Sequence, residues 1–140
     1  MKDHILEKKV YYHDTDAGGV VYYGNYLKFL EEGRTEFCIE RGFDVRALYN
    51  QGVSFVVVHA EADYKAPARY GDTVAIYTRV NSVGNSSIHF SQEIRTQVKA
   101  PDSGGVRDAL LVSAKIVWAC VGKDFKVRPV SDQVRRALIP

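Results

Sequence analysis

One change in hydrophobic period constrains the fold of this chain more than any other feature. Between residues 25 and 42, apolar positions recur every three to four residues, as in a helix buried along one side. After Gly52, apolar residues recur mainly at alternate positions, which is typical of β-strands. A single early helix followed by consecutive strands predicts an α+β fold, because a parallel βαβ architecture would interleave helices with the strands.

Local signals indicate where these elements begin and end. A first strand is expected at residues 6–12, and Asn25 and Gly42 are expected to cap and to end the long helix. Gly33 lies in the middle of this helix and predicts close contact with a flat surface. The remaining expected elements are a helical turn at 44–50, strands at 53–65, 74–81, 88–98 and 109–121, hairpin turns at 84–85 and 101–105, and a C-terminal helix capped by Ser131.

The simplest packing lays the long helix across one face of a single curled antiparallel sheet. The run VSFVVV at residues 53–58 is typical of a strand that is covered on both faces. Residues 1–140 contain no internal repeat, low-complexity tract or linker. Hydrophobic residues make up 46% of the chain and charged residues 26%, as in globular proteins. We therefore expect one domain spanning 1–140.

Charge and cysteine usage argue against several functional classes. The 19 basic and 17 acidic side chains are interspersed and give a net charge of +2, so no basic stripe for nucleic acid is indicated. No run approaches the ~18 to 20 apolar residues that span a bilayer, and the start lacks the apolar core of a signal peptide. Cys38 and Cys120 lie far apart without C-x-x-C spacing, which favours reduced thiols in a cytoplasmic protein over a disulfide framework or a zinc site.

The stretch YYHDTDAGGVVYYGNY at residues 11–26 is the best candidate for chemistry. Asp14 and Asp16 lie between the first strand and the helix N-terminus, whose free amides and partial positive charge suit an oxyanion. A carboxylate beside such amides can act as nucleophile or general base in acyl transfer. The same Asp-x-Asp-x-Gly-Gly composition is typical of an Asx turn, and the residues alone leave both interpretations open.

The longer run YYHDTDAGGVVYYGNYLKFLEEGRTEF resembles the signature of the hotdog-fold acyl-CoA thioesterases. More narrowly, it is similar to the 4-hydroxybenzoyl-CoA thioesterase and Tol–Pal-associated thioesterase branch. The shared pattern is an aromatic, an Asp-x-Asp pair, a glycine, an aliphatic pair, an aromatic pair, and Asn-Tyr opening a long helix. The resemblance implies a long helix wrapped by an antiparallel sheet, homodimers that continue this sheet and often pair into homotetramers, an acyl-CoA substrate, and no metal or other cofactor.

The resemblance also implies roles for individual residues. The essential carboxylate would be Asp16, the thioester carbonyl would bind the backbone amides of Tyr23 and Gly24, and Asp14 would support the loop. Many Tol–Pal-type members carry histidine at the position of Tyr23, whereas hydroxybenzoyl-type members carry tyrosine. The turn at 83–87, VGNSS, lacks the basic cluster that can bind nucleotide phosphates in hydroxybenzoyl-type enzymes.

Several other residues are candidates for substrate contacts. Lys65 and Arg69 are possible phosphate ligands, although exposed surface charge explains them equally well. His59 lies on a long strand and can approach the site from a partner subunit, but a hydrogen-bonded strand histidine is the simpler interpretation. The remaining substrate-binding candidates, which would suit a short-chain or aromatic acyl group, are Val21, Tyr22 and Tyr26.

Alternatives remain at the level of residues and of function. Another hotdog branch uses a helix glutamate, so Glu31 and Glu32 rival Asp16; Arg34 is expected to pair with a carboxylate such as Glu31. The favoured function is hydrolysis of short-chain or aromatic acyl-CoA to the free acid and coenzyme A. A hotdog hydratase or dehydratase acting on acyl thioesters, and a non-catalytic acyl-thioester-binding module, are the alternatives.

Overall fold

The structure is a computed structural model that describes residues 3–99 and 106–139. In the described residues, one antiparallel sheet has the strand order β1-β3-β4-β5-β2. The α+β prediction of a long helix on an antiparallel sheet is therefore confirmed. The elements in chain order are β1 (His4–Lys9), a 3-10 turn (Tyr12–Asp14), α1 (Tyr23–Glu40), α2 (Val45–Asn50), β2 (Ser54–Tyr64), β3 (Thr73–Val83), β4 (Ser87–Lys99), β5 (Val106–Val121) and α3 (Asp132–Leu138).

The core lies between α1 and the inner face of the sheet. The helix runs alongside β1, because Glu32 Oε2 lies 3.3 Å from Lys8 Nζ and Glu40 Oε2 lies 3.6 Å from His4 Nε2. Phe29, Leu30 and Phe37 of α1 are fully buried there. Alternate residues of β3 are buried as well, namely Val74, Ile76, Thr78 and Val80.

Gly33 allows α1 to approach β3 and β4 closely. A Cβ atom at this position would lie 2.6 Å from Ile76 Cγ2 and 3.0 Å from Thr78 Oγ1. Gln92 Nε2, also beside Gly33, donates to the Leu30 carbonyl and to Thr78 Oγ1, both at 2.9 Å. The predicted contact of Gly33 with a flat surface is confirmed, and the flat surface is the sheet.

Arg34 does not form the ion pair with Glu31 that the sequence indicated. It is buried, and its Nη1 donates to Gln92 Oε1 at 3.0 Å, whereas Glu31 Oε1 accepts from Thr35 Oγ1. Burial lowers the pKa of the Arg34 guanidinium. The spacing of charges along one helix could not reveal this arrangement, because Gln92 is 58 residues away.

Two other expectations about α1 and β2 need correction, and two about helix ends are confirmed. Asn25 is the third residue of α1 and not its N-cap, which is Tyr22. The Asn25 side-chain amide donates instead to the Asp14 carbonyl at 2.9 Å. The segment 53–58 is not covered on both faces in this chain, since β2 forms an edge and Val57 is 50% exposed. Gly42 follows the end of α1 with φ 98°, and Ser131 caps α3 by accepting from the Val134 amide.

The loop expected at 101–105 lies outside the described residues. The turn predicted at 84–85 joins β3 to β4 and is closed by the Gly84 amide, which donates to the Ser87 carbonyl at 2.8 Å. None of the helices in the described part of the chain combines the length and the apolar content needed to cross a bilayer.

The substitution Gly33→Ala tests the close contact between helix and sheet. Overpacking should lower the free energy of unfolding by about 1–3 kcal/mol, although helix propensity alone favours alanine by about 1 kcal/mol. Urea denaturation measures the difference. Glu36→Ala, at an exposed position of α1, is the matched control and should cost little. Equal or greater stability of Gly33→Ala would contradict the described packing.

Candidate active site

Asp14 connects the exit of β1 to the start of α1. Its buried side chain accepts from the Tyr11 amide through Oδ2 at 2.9 Å. Its carbonyl accepts from the Tyr22 amide at 3.0 Å and from the Asn25 side chain. The carboxylate is thus directed at the backbone of its own loop, which supports the loop-shaping role proposed for Asp14.

Asp16 forms the Asx turn that its sequence context suggested. Its Oδ1 accepts from the Gly18 amide at 2.8 Å, and its carbonyl accepts from the Gly19 amide at 3.0 Å. Gly19 has φ 77°, a left-handed conformation that favours glycine. Within 3–99 and 106–139, no other group donates a hydrogen bond to this exposed carboxylate. The turn therefore orients Asp16 and leaves Oδ2 open to solvent.

The first amides of α1 are available to a ligand. Tyr22 is the N-cap residue, but its side chain makes no capping hydrogen bond. Among the described residues, none accepts a hydrogen bond from the backbone amides of Tyr23 and Gly24. Such amides at a helix N-terminus can bind an oxyanion. A Cβ at Gly24 would lie 2.8 Å from the Tyr22 ring, so glycine permits the ring to cover the helix start.

Aromatic side chains form the surface beside these amides. Tyr22 is 46% and Tyr23 61% exposed, and their ring centroids lie 4.8 Å apart. The neighbouring Tyr23 phenol is the main cause that raises the pKa of Tyr22, and the charge of Asp16 contributes less. Tyr64, at the end of β2, lies 6.1 Å from the Tyr23 ring. Sequence reasoning missed Tyr64, because its proximity to α1 depends on where β2 joins the sheet.

Val21 and Tyr26 hold the loop against the core. Both side chains are buried, at 3% and 4% exposure. The Val21 amide donates to the Ala68 carbonyl, and the Ala68 amide donates to the Tyr26 hydroxyl at 3.0 Å. The geometry thus gives these two residues a scaffold role, and their predicted contact with substrate stays a prediction.

The predicted polar substrate contacts are His59 on β2 and Lys65 and Arg69 after it. Arg69 pairs through its backbone with Val20, so it borders the loop, and Lys65 follows directly after β2. Both are exposed, and neither forms an ion pair within the described residues. His59 is exposed on the edge strand β2, with Nε2 2.8 Å from Glu61 Oε1, which agrees with the simpler interpretation of a hydrogen-bonded strand histidine.

The rival glutamates lie on α1, away from its free amides. Glu31 accepts from Thr35 Oγ1, and Glu32 Oε2 lies 3.3 Å from Lys8 Nζ. Across the described part of the chain, no group of three or more His, Cys, Asp or Glu residues could hold a metal ion. Of these three carboxylates, Asp16 is the one that lies in the loop leading into the start of α1.

A profile of the thioesterase superfamily matches residues 18–100. This chain belongs to the thioesterase superfamily. It is 39% identical over 121 residues to acyl-CoA thioester hydrolase YbgC of Escherichia coli O6:H1, covering 86% of this chain and 83% of that protein. It is 36% identical over 125 residues to acyl-CoA thioesterase YbgC of Haemophilus influenzae, covering 88% and 83%.

Solved structures agree with this membership of the thioesterase superfamily. The structure of a probable thioesterase from Bartonella henselae is 30% identical in sequence to this chain, with a TM-score of 0.76. The match covers 94% of this chain and 100% of that chain. A mutant of 4-hydroxybenzoyl-CoA thioesterase in complex with 4-hydroxybenzoyl-CoA shares the fold, with a TM-score of 0.86 at 16% identity over 99% and 100% of the two chains. The predicted hotdog fold and thioester hydrolase class are confirmed. Asp14 and Asp16 precede the matched range, so their roles stay predictions.

The substitution Tyr26→Phe tests the scaffold under the loop. It leaves the Ala68 amide without its acceptor, which should cost about 1–3 kcal/mol of unfolding free energy. Burial raises the pKa of Tyr26, so the folded state holds this proton more tightly than the unfolded state. The resulting stabilisation is present below about pH 10 and is lost as pH rises through the folded-state pKa.

Chemical denaturation at pH 8 and at pH 10.5 or above, conditions chosen around a tyrosine pKa of about 10, measures both effects. Tyr26→Phe should flatten the alkaline loss of stability. Tyr70→Phe, at a 62% exposed position, is the control and should match the wild type. Equal stability of the Tyr26 variant and the wild type would contradict the scaffold role.

Proposed function

We propose that this chain hydrolyses acyl-CoA thioesters to a carboxylic acid and coenzyme A, with Asp16 as the catalytic carboxylate. The observation that carries the proposal is an oriented, solvent-open carboxylate in the loop that leads directly into the free amides of Tyr23 and Gly24. The names of the YbgC relatives support acyl-CoA as the substrate class.

The reaction needs a nucleophile and a site for negative charge. As the thioester carbonyl carbon is attacked, its oxygen becomes negative and accepts from the Tyr23 and Gly24 amides, which stabilises the transition state. Asp16 either takes a proton from the attacking water or attacks first, forming an anhydride that water then hydrolyses. In both routes the carbon–sulfur bond breaks, and coenzyme A leaves as the thiolate, which is then protonated.

The surroundings suggest how the substrate lies. Tyr22, Tyr23 and Tyr64 offer an aromatic surface beside the amides, which suits a short-chain or aromatic acyl group. Lys65 and Arg69 are exposed near the same end of β2 and are proposed to contact phosphates of coenzyme A.

We further propose that two copies pair through β2 and that pairs of dimers can form a homotetramer. β2 is an edge of the described sheet with exposed Val57 and Val58, and an exposed apolar edge strand favours pairing with another strand.

We also propose that residues 1–140 form one domain and that the protein acts in the cytoplasm. The two buried, free thiols Cys38 and Cys120 fit a reducing compartment, and burial raises the pKa of Cys38 to about 12.

The catalytic role of Asp16 is tested by thiol release from a panel of short aliphatic, long aliphatic and aromatic acyl-CoAs. Asp16→Asn keeps the shape of the side chain and removes its charge, so kcat should fall roughly 10²-fold or more. Glu31→Gln and Glu32→Gln should retain activity. The wild type should prefer short-chain or aromatic substrates.

Two outcomes would contradict this assignment. Full turnover by Asp16→Asn together with loss in a glutamate variant would move the catalytic role to α1. Binding without hydrolysis of every thioester by the wild type would leave only an acyl-thioester-binding module.

The pairing through β2 is tested by Val58→Asp. Val58 is 60% exposed at the irregularity in β2, so a charge there should disfavour pairing and give a monomer by analytical ultracentrifugation. Ile5→Asp, at a 53% exposed position on the opposite edge strand β1, should leave the dimer intact. A monomeric wild type would refute the proposed dimer.

A further inference from the structure

The aspartate loop, residues 14–22, is a small two-armed turn. The Asp16 amide donates to the Val20 carbonyl at 3.0 Å. The Tyr22 amide donates to the Asp14 carbonyl, also at 3.0 Å. These backbone bonds hold an outer arm, residues 14–16, against an inner arm, residues 20–22. The outer arm is the one that carries the proposed catalytic carboxylate.

The inner arm is fixed to the body of the protein. The Val21 side chain is buried, and its amide donates to the Ala68 carbonyl at 2.9 Å. The outer arm lies on the other side of the inner arm from this anchor, and Asp16 at its end is exposed. The position of Asp16 therefore depends on what holds the outer arm in place.

Asn25 connects the outer arm directly to the first turn of α1. Its Nδ2 donates to the Asp14 carbonyl at 2.9 Å, and its own amide donates to the Tyr22 carbonyl at 2.8 Å. Across residues 3–99 and 106–139, no other side chain of α1 donates a hydrogen bond to the outer arm. The Asp14 carbonyl is thus the point at which the outer arm and the helix meet.

The place of Asn25 in the chain gives this contact its meaning. It directly follows Tyr23 and Gly24, whose amides are the proposed donors to the thioester oxygen. The carbonyl that it binds lies two residues before Asp16. One side chain therefore spans the two halves of the proposed site. Because catalysis requires reacting groups in a defined geometry, a shift between these halves would slow the reaction.

We propose that Asn25 is a positioning residue that holds the Asp16 carboxylate in place relative to the Tyr23 and Gly24 amides. It acts through the backbone of the outer arm and makes no contact with the substrate. The side-chain amide suits this task because it donates without carrying a charge. This inference rests on the proposed acyl-CoA hydrolase function and adds to it a residue that acts through Asp16.

The substitution Asn25→Leu tests this role, since leucine has a similar branched shape and cannot donate. The Asp14 carbonyl keeps the Tyr22 amide as a donor, so the variant should fold. Its kcat for an acyl-CoA should fall roughly 10- to 100-fold, with KM close to that of the wild type. Thr35→Val, which removes the bond from Thr35 Oγ1 to Glu31 elsewhere on α1, is the matched control and should keep the wild-type kcat.

A double-mutant cycle shows whether Asn25 acts through Asp16. In the Asp16→Asn background, Asn25→Leu should lower the residual kcat far less than in the wild type, because the carboxylate that it positions is already lost. A loss of folded enzyme would instead reduce both rates by the same factor. An equal factor in both backgrounds, an unchanged kcat, or a raised KM at constant kcat would overturn the positioning role.

Amide hydrogen exchange tests the contact without turnover and separates the two proposals. Exchange of residues 14–22 should be faster in Asn25→Leu than in the wild type and Thr35→Val, whereas β4 should exchange equally in all three. Equal exchange of residues 14–22 would overturn the inference and leave the hydrolase intact. Faster exchange in a chain whose wild type hydrolyses no thioester would overturn the hydrolase and leave Asn25 as the residue that holds the loop.

Discussion

The burial of α1 against the sheet is the contact on which the rest of the structure depends. Its 18 residues extend ~27 Å along the inner face of the sheet. Gly33 allows the backbone to approach the strands, and Phe29 and Phe37 pack on either side of it along the helix. This contact determines where the first amides of α1 lie, and therefore where an oxyanion can bind.

Polar contacts within this apolar layer specify how the helix lies on the sheet. Gln92 bonds to the Leu30 carbonyl, Thr78 and Arg34, so one side chain connects α1, β3 and β4. Because an unsatisfied buried polar group costs free energy, a shift of the helix along the sheet would be penalised more than it would be in a purely apolar core. At the other end of the same scaffold, Asp14 and Tyr26 secure the loop that carries Asp16.

The proposed chemistry lies at one end of β2. The free amides of α1 lie beside Tyr64, whose ring centroid is 6.1 Å from that of Tyr23. The proposed antiparallel pairing of two copies through this edge would place β2 of one copy beside the site of the other. An exposed apolar edge, which is a liability in a monomer, would then be the element that completes the enzyme.

Local pattern determined much of this protein. The periods of apolar residues predicted α1 and the long strands, the Asp-x-Asp-x-Gly-Gly run predicted the Asx turn, and Ser131 predicted a helix cap, because these features depend on neighbours along the chain. Gly33 predicted close contact with a flat surface, and the tertiary structure decided that Ile76 and Thr78 form that surface. The tertiary structure alone decided that Arg34 pairs with Gln92, that Asn25 bonds to Asp14 instead of capping α1, and that β2 lies at an edge. Each of these depends on which distant segments the sheet order brings together, and strand order leaves no mark in the local period of the sequence.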